Sequence, residues 1–190
     1  RETPAKGIYE AVFGKDMLYV EQSGVYFFPT MVNMQTRENL GEQRRAELNK
    51  IEFDKLPLSD AIKMVSGNGS RKLVVFADPN CGYCKRLEAN LQRIKDVTVY
   101  VFPVAILGGD SDMKVNAVTC SNGDKAKLWK QVVLENLRPV ENNCGNGVSK
   151  RNMELFRGLG LQGTPAIVFP DGTVIKGFVE NDRIEKQLGN

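Results

Sequence analysis

Residues 72–84, with the sequence KLVVFADPNCGYC, decide the fold. The first six form a mostly apolar run typical of a strand buried on both faces, and Asp-Pro-Asn at 78–80 ends it. A helical pattern follows from Cys81 to Ile94, and residues 97–102 have the pattern of a second strand. Strand, helix and strand with such short joints predict a βαβ unit with a right-handed crossover.

The Cys81-Gly82-Tyr83-Cys84 motif is the candidate reactive site. Its spacing sets two sulfurs within disulfide reach across the first helical turn, where unpaired amides and the positive helix end stabilise a thiolate. Cys81, the more N-terminal, is the expected nucleophile, and Cys84 is the expected resolving thiol. Gly82 and Tyr83 bring no charge, so the helix end has to supply most of the thiolate stabilisation.

The cysteine pair has two other readings, a zinc knuckle and an inert bridge. Zinc requires a second closely spaced pair or histidines, but Cys120 and Cys144 lie far apart and the chain has no histidine. The missing histidines also exclude Ser-His-Asp and Cys-His catalysis. Because a strand-to-helix junction favours a reactive thiol over an inert bridge, we expect redox chemistry, with no metal and no cofactor.

The charge composition bears on which macromolecules the protein could bind. The 190 residues carry 26 basic and 23 acidic side chains, a net charge of +3, which gives no reason to expect nucleic acid or an anionic membrane as the main partner. No window approaches the roughly 18 apolar residues of a membrane span. The sequence starts without Met or a signal-like apolar stretch, as a processed or trimmed chain would.

The pattern along the chain predicts three parts. Residues 1–35 contain an antiparallel meander with strands at 8–13, 17–20 and 25–28; three strands rarely stand alone, so we expect a β domain that packs on something or pairs with another chain. Residues 36–56 form a polar linker helix. Residues 57–190 form the domain that carries the cysteines, interrupted by a helical insertion at about 105–160. Within this last part we predict helices at 59–65, 113–120, 125–137, 150–159 and 182–188, and hairpin strands at 166–169 and 173–178.

Thr164-Pro165 precedes the first hairpin strand. Proline at the start of a strand is often only punctuation. The functional alternative is a cis peptide bond beside the dithiol, with the backbone of Thr164 left free to pair with an extended substrate peptide. Tyr83, with Phe178 or Phe102, either contributes to that binding surface or belongs to the core.

Taken together, these motifs resemble the thioredoxin fold, and more narrowly the periplasmic disulfide isomerases of the DsbC/DsbG type. The resemblance rests on FADPNCGYCK at 76–85, GTPA at 163–166 and PDGT at 170–173; the CGYC motif and the Thr before Pro165 favour the DsbC-like branch. It implies an α+β/α/β architecture: a thioredoxin-like fold with a helical insertion, preceded by a small antiparallel β association domain and a linker helix.

The resemblance also implies partners and a second cysteine pair. It implies a V-shaped periplasmic homodimer joined through its N-terminal domains, acting on unfolded or misoxidised secreted proteins, and a membrane thiol reductase of the DsbD type that keeps the dithiol reduced. Cys120 and Cys144 correspond to a structural disulfide of the family, with free thiols or a second redox pair as the alternative.

Two features depart from the family. The chain begins later than family members do, and Lys85 stands where the family often has His. Thiol oxidase, dedicated reductase of a narrow client and redox-independent holdase chaperone remain alternative functions, because potential and partners set the redox direction.

Overall fold

A computed structural model describes residues 1–189, and the chain divides into two compact units, Arg1–Lys50 and Ile51–Asn190. No helix within residues 1–189 combines the length and the apolar character that crossing a membrane requires.

The first unit is a three-stranded antiparallel sheet with one helix. Strands β1 (Ile8–Phe13), β2 (Asp16–Glu21) and β3 (Phe27–Phe28) pair in that order. Helix α1 (Leu40–Leu48) contacts β2 and covers the buried Met17 and Tyr19.

Polar contacts start α1 and attach it to the sheet. Asn39 caps it by accepting a hydrogen bond from the Glu42 amide at 3.0 Å, which satisfies one of the free N–H groups of the first turn. The Arg44 guanidinium donates to the Glu10 carboxylate of β1 at 2.9 Å. This short, polar helix lies within the range predicted for the linker.

The second unit is built on a five-stranded sheet in the order β4-β6-β5-β7-β8. The central strand β5 is parallel to β6, and the other pairs are antiparallel. Side chains of β5 alternate between two apolar clusters: Leu73 and Val75 lie in one, Val74 and Phe76 in the other. The prediction of a strand buried on both faces is confirmed. The strands are β4 (Ile62–Ser66), β5 (Arg71–Ala77), β6 (Val97–Pro103), β7 (Ala166–Val168) and β8 (Val174–Lys176).

Helices complete the two layers. Side chains of α2 and α4 enter the cluster that contains Leu73, as Ile184 of α6 does, and Phe156 of α5 enters the cluster on the other face. The thioredoxin-like fold with a helical insertion is therefore confirmed. The helices are α2 (Gly82–Leu91), α3 (Ser111–Thr119), α4 (Lys125–Leu134), α5 (Val148–Gly158) and α6 (Asn181–Leu188), with single 3-10 turns at Phe53–Lys55 and Leu58–Asp60.

The helix predicted at 59–65 is wrong. A 3-10 turn occupies Leu58–Asp60, and the following residues form strand β4, antiparallel to β6. Ile62 and Met64 are buried whereas Lys63 and Val65 are exposed, which is the two-residue alternation of a strand. In so short a run, apolar residues fit helical and strand periods about equally well, and pairing with β6 decides the outcome.

Candidate active site

The pairing of β5 with β7 brings two loops together at one end of the five-stranded sheet. Strand β5 ends at Ala77 and leads through residues 78–80 to Cys81. Strand β7 begins at Ala166, directly opposite Phe76 of β5. Because the two strands run antiparallel, the end of one and the start of the other place the cysteine loop beside the loop that contains Thr164 and Pro165.

Cys81 is the N-cap of α2. Its backbone is extended, and its Sγ accepts a hydrogen bond from the Cys84 amide at 3.3 Å. In general, an N–H group of the first helical turn and the positive end of a helix stabilise a thiolate more than a neutral thiol. The structure therefore places the Cys81 sulfur at the N-terminus of α2, the position that the sequence analysis expected for it.

Cys84 lies one turn deeper. Both cysteines are free thiols; Cys81 is 6% exposed and Cys84 only 2% exposed. Burial raises the pKa of the Cys84 thiol strongly, and its hydrogen bond with Cys81 raises the pKa further. The two sulfurs are thus unequal, and the thiol of Cys84 stays protonated at neutral pH.

The second loop faces Cys81 with a carbonyl group. The Thr164–Pro165 peptide bond is cis. The Cys81 thiol donates to the Thr164 carbonyl oxygen at 3.4 Å, and the Gly177 amide donates to the Pro165 carbonyl oxygen at 2.8 Å. The structure thereby brings Cys81, Thr164 and Pro165 into one site.

The two residues between the cysteines are exposed. A methyl group built on Gly82 meets no atom within 4 Å, so the surface above the dithiol is open there. Tyr83 is 60% exposed, and its ring lies near that of Phe178. The suggestion that Phe102 lines the binding surface is wrong: it is fully buried and stacks on Phe76, because β6 is a central strand with both faces covered.

The sequence analysis did not single out Asp78, which anchors the cysteine loop. Its buried carboxylate accepts from the Asn80 amide and the Ser111 hydroxyl at 2.8 Å each. It also accepts from the amides of Ile106 and Leu107 at 2.8 and 2.9 Å. Four donors compensate for the loss of water around a buried charge. Only its place at the end of the strand, before a proline, hinted at this role.

A buried carboxyl group on α2 also escaped the sequence analysis. Glu88 is 4% exposed, and its oxygens accept from the Trp129 indole N–H at 3.2 Å and the Gln92 amide at 2.8 Å. Burial raises its pKa. Helical spacing could have indicated this burial, because Glu88 lies four residues after Cys84 and three before Leu91, on the buried face of α2.

The remaining cysteines lie in the helical insertion. Cys120, at the end of α3, forms a disulfide with Cys144, with Cα atoms 5.6 Å apart. Within residues 1–189 no group of histidine, cysteine, aspartate or glutamate side chains has an arrangement that could hold a metal ion.

Comparisons with known proteins agree with this geometry. A model of the thioredoxin-like domain matches residues 58–190. A probable thiol:disulfide interchange protein DsbC of Bordetella parapertussis is 38% identical over 189 residues, 99% of this chain and 67% of the relative. The thiol:disulfide interchange protein DsbC of Haemophilus influenzae is 27% identical over 95% of this chain and 78% of the relative. The crystal structure of a disulfide interchange protein from Neisseria gonorrhoeae superposes with a TM-score of 0.65 at 36% identity, covering 70% of this chain and 99% of that one.

Proposed function

Because the chain belongs to the thioredoxin-like family and, within it, to the thiol:disulfide interchange proteins of the DsbC type, we propose that it is a disulfide isomerase that corrects mispaired disulfides in secreted proteins. The observation that carries this proposal is the pairing of unequal thiols. Cys81 accepts a hydrogen bond from the Cys84 amide at the N-terminus of α2, whereas deeper burial raises the pKa of the Cys84 thiol.

The reaction begins at Cys81. Its thiolate attacks one sulfur of a mispaired client disulfide, forms a mixed disulfide and releases the other client sulfur as a thiolate. A different client thiolate then attacks the client sulfur of the mixed disulfide and forms the corrected client bridge, whereas attack by the first released thiolate would restore the mispaired one. Cys81 leaves as a thiolate, so isomerisation consumes no electrons.

Cys84 supplies the second exit from the mixed disulfide. Its thiolate attacks the Sγ of Cys81, releases the reduced client and leaves a Cys81–Cys84 disulfide. Because burial raises the pKa of Cys84, its reactive form is scarce at neutral pH. Slow escape gives client thiols time to resolve the mixed disulfide, which favours isomerisation over net reduction.

Client backbone has a natural place beside Cys81. The Thr164 carbonyl oxygen lies 3.4 Å from the sulfur, and Gly82 leaves the space above the dithiol open. An extended client segment that pairs with the backbone of Thr164 would bring its cysteine toward Cys81. We assign Thr164, Pro165, Gly82 and Tyr83 to client binding on this basis.

Net reduction of a client requires a partner that restores the dithiol. Each such turnover leaves Cys81 and Cys84 oxidised, so two electrons have to be returned. A membrane thiol reductase of the DsbD type fits that need in the periplasm, an oxidising compartment in which the Cys120–Cys144 disulfide also persists.

The first unit supports a homodimer. Its large apolar side chains are exposed in unusual number for so small a unit, and such patches mark association surfaces. Among them are Phe13, Val25, Tyr26, Phe27 and Met34. Replacing Tyr26 and Phe27 by Asp should convert a dimer into a monomer in sedimentation velocity; a monomeric wild type would contradict this assignment.

Refolding of a client with scrambled disulfides tests the isomerase proposal. Wild type should restore client activity without added oxidant, and Cys81→Ser should not. No rescue by wild type would refute the proposal, and equal rescue by Cys81→Ser would identify a redox-independent holdase instead.

The same assay separates the redox alternatives. Client that recovers only when it starts fully reduced and receives an equivalent amount of enzyme with an oxidised Cys81–Cys84 pair would identify an oxidase, because each client disulfide formed reduces one enzyme disulfide. Client whose thiols accumulate without recovery of activity would identify a dedicated reductase.

A further inference from the structure

The surface beside the dithiol carries two rings and a guanidinium, of which the proposed function assigns only Tyr83 to client binding, without naming what its ring contacts. The rings of Tyr83 and Phe178 have centroids 6.4 Å apart and planes inclined by 28°. The Arg86 guanidinium carbon lies 4.3 Å from the Phe178 centroid and 6.0 Å from that of Tyr83. We call these three residues the aromatic stack.

The aromatic stack is attached to both halves of the active site. Tyr83 lies between the two active-site cysteines, and Arg86 follows three residues later on the same helix, where side chains are neighbours. Phe178 follows Gly177, whose amide donates to the Pro165 carbonyl oxygen at 2.8 Å. The position of the aromatic stack relative to a bound client cysteine is therefore set by the same elements that position the dithiol and the proline loop.

The open part of the aromatic stack is an uncharged ring. Tyr83 is 60% exposed, whereas Phe178 is half-buried and packs on the core. Arg86 already faces the Phe178 ring and forms an ion pair with Glu180 at 3.7 Å, with both side chains largely in water. An acidic client residue would meet the Glu180 carboxylate as well as Arg86, so these charges favour an aromatic neighbour over an acidic one.

We infer that the aromatic stack is a subsite for an aromatic side chain next to the client cysteine that Cys81 attacks. This inference rests on the proposed function, since a client cysteine has to reach Cys81 before its neighbours can touch Tyr83. An extended client advances about 3.3 Å per residue, so the residue on either side of the attacked cysteine lies close to the first turn of α2. Its ring would stack on the open face of Tyr83.

The expected gain is modest and measurable. An aromatic pair contributes enough beyond burial to change a rate or affinity about three- to tenfold. The stack would therefore select among disulfides of a client without excluding any of them, as correction of varied mispairings requires.

Peptide disulfides test the inference. Reduced enzyme is mixed with symmetric disulfides of two identical short peptides that carry Tyr, Leu, Gly or Asp directly before or after the cysteine. The Cys81 thiolate releases one peptide thiolate, and Cys84 displaces the second, so each event oxidises one dithiol and reduces one peptide disulfide. Acid quenching and chromatography give single-turnover rates, with Tyr expected about three- to tenfold faster than Gly at one of the two positions.

Variants assign the preference to the aromatic stack. Tyr83→Leu removes the ring and keeps an apolar side chain, so the Tyr-to-Gly rate ratio should fall toward one; Arg86→Gln should lower it by a smaller factor. Arg157→Gln is the matched control, because it removes one exposed positive charge from α5, on the other face of the sheet, and should leave the ratio intact.

Each outcome decides between the two proposals. A ratio near one at both positions in a protein that still corrects scrambled clients overturns the subsite alone, as does a ratio that survives Tyr83→Leu. A preference for Asp overturns the aromatic assignment. Failure to oxidise the dithiol with any peptide overturns the proposed function together with the subsite.

Discussion

Removing the Cys120–Cys144 disulfide should destabilise the second unit by an amount that the loop length sets. The bridge closes a sequence separation of 24, for which the chain-entropy model gives about 3.5 kcal/mol at 25 °C. The native loop keeps other contacts, since Asn142 and Asn146 donate to the carbonyl oxygens of Cys120 and Thr119 at 3.2 and 3.3 Å. The loss should therefore come mainly from a freer unfolded chain.

Urea unfolding of Cys120→Ala/Cys144→Ala measures this loss. Trp129 is the single tryptophan and is fully buried in α4, so its fluorescence reports on the second unit alone. With a denaturant slope of about 2 kcal/mol/M, the midpoint should fall by about 1.7 M, and any change in the slope should be an increase, because the freer unfolded chain exposes more surface.

A control separates the bridge from the buried sulfur. Cys144 is exposed and Cys120 is buried, so Cys144→Ser should lose the bridge without the cavity that Cys120→Ala adds. A loss below about 1 kcal/mol in both variants would refute the loop-entropy reasoning, and a smaller slope would contradict it as well, because it would mean a more compact unfolded chain.

Three further predictions concern the active-site helix and its loop. Cys84→Ala should accumulate mixed disulfides between Cys81 and clients, visible on non-reducing gels; rapid release of reduced client by this variant would show that Cys84 is not the resolving thiol. Glu88 holds its proton to a higher pH in the folded than in the unfolded chain, so it should cost stability increasingly as the pH rises above its ordinary pKa of about 4.3. Glu88→Gln should reduce that loss between pH 4 and pH 7 in urea unfolding, and an identical pH dependence would contradict the assignment. In Asp78→Asn, one of the two oxygens that now accept from four donors becomes an NH2 group. The free energy of unfolding should fall by about 2–4 kcal/mol, and the reactivity of Cys81 toward a small disulfide should change. If neither quantity changes, Asp78 does not support the site.

Local patterns were enough to predict the βαβ unit and its dithiol. The apolar run of β5, its Asp-Pro ending and the cysteine spacing are all contained in residues 72–84, so the secondary structure and the place of Cys81 at a helix N-terminus follow from short-range rules. The thioredoxin-like fold was predicted from the resemblance of these motifs, in this order, to those of a known family.

Features that depend on distant partners were missed or misread. Strand β4 pairs with β6, more than thirty residues later, and only that pairing distinguishes residues 62–66 from a helical turn. Asp78 is satisfied by amides 28 and 29 residues away, and Glu88 by an indole 41 residues away. Local sequence patterns do not show hydrogen-bond donors that lie so far away along the chain. For Glu88, helical spacing would have indicated the buried face of α2 but not the indole partner.

The contact between Cys81 and Thr164 spans 83 residues, which has a consequence for how the protein is made. A chain that emerges N-terminus first presents Cys81, Cys84 and Cys120 before either Cys144 or the proline loop exists. Three thiols therefore emerge before the Cys120–Cys144 disulfide can form, and wrong pairs among them are available before that one. The newly made chain is thus exposed to the same kind of pairing error that the finished protein is proposed to correct.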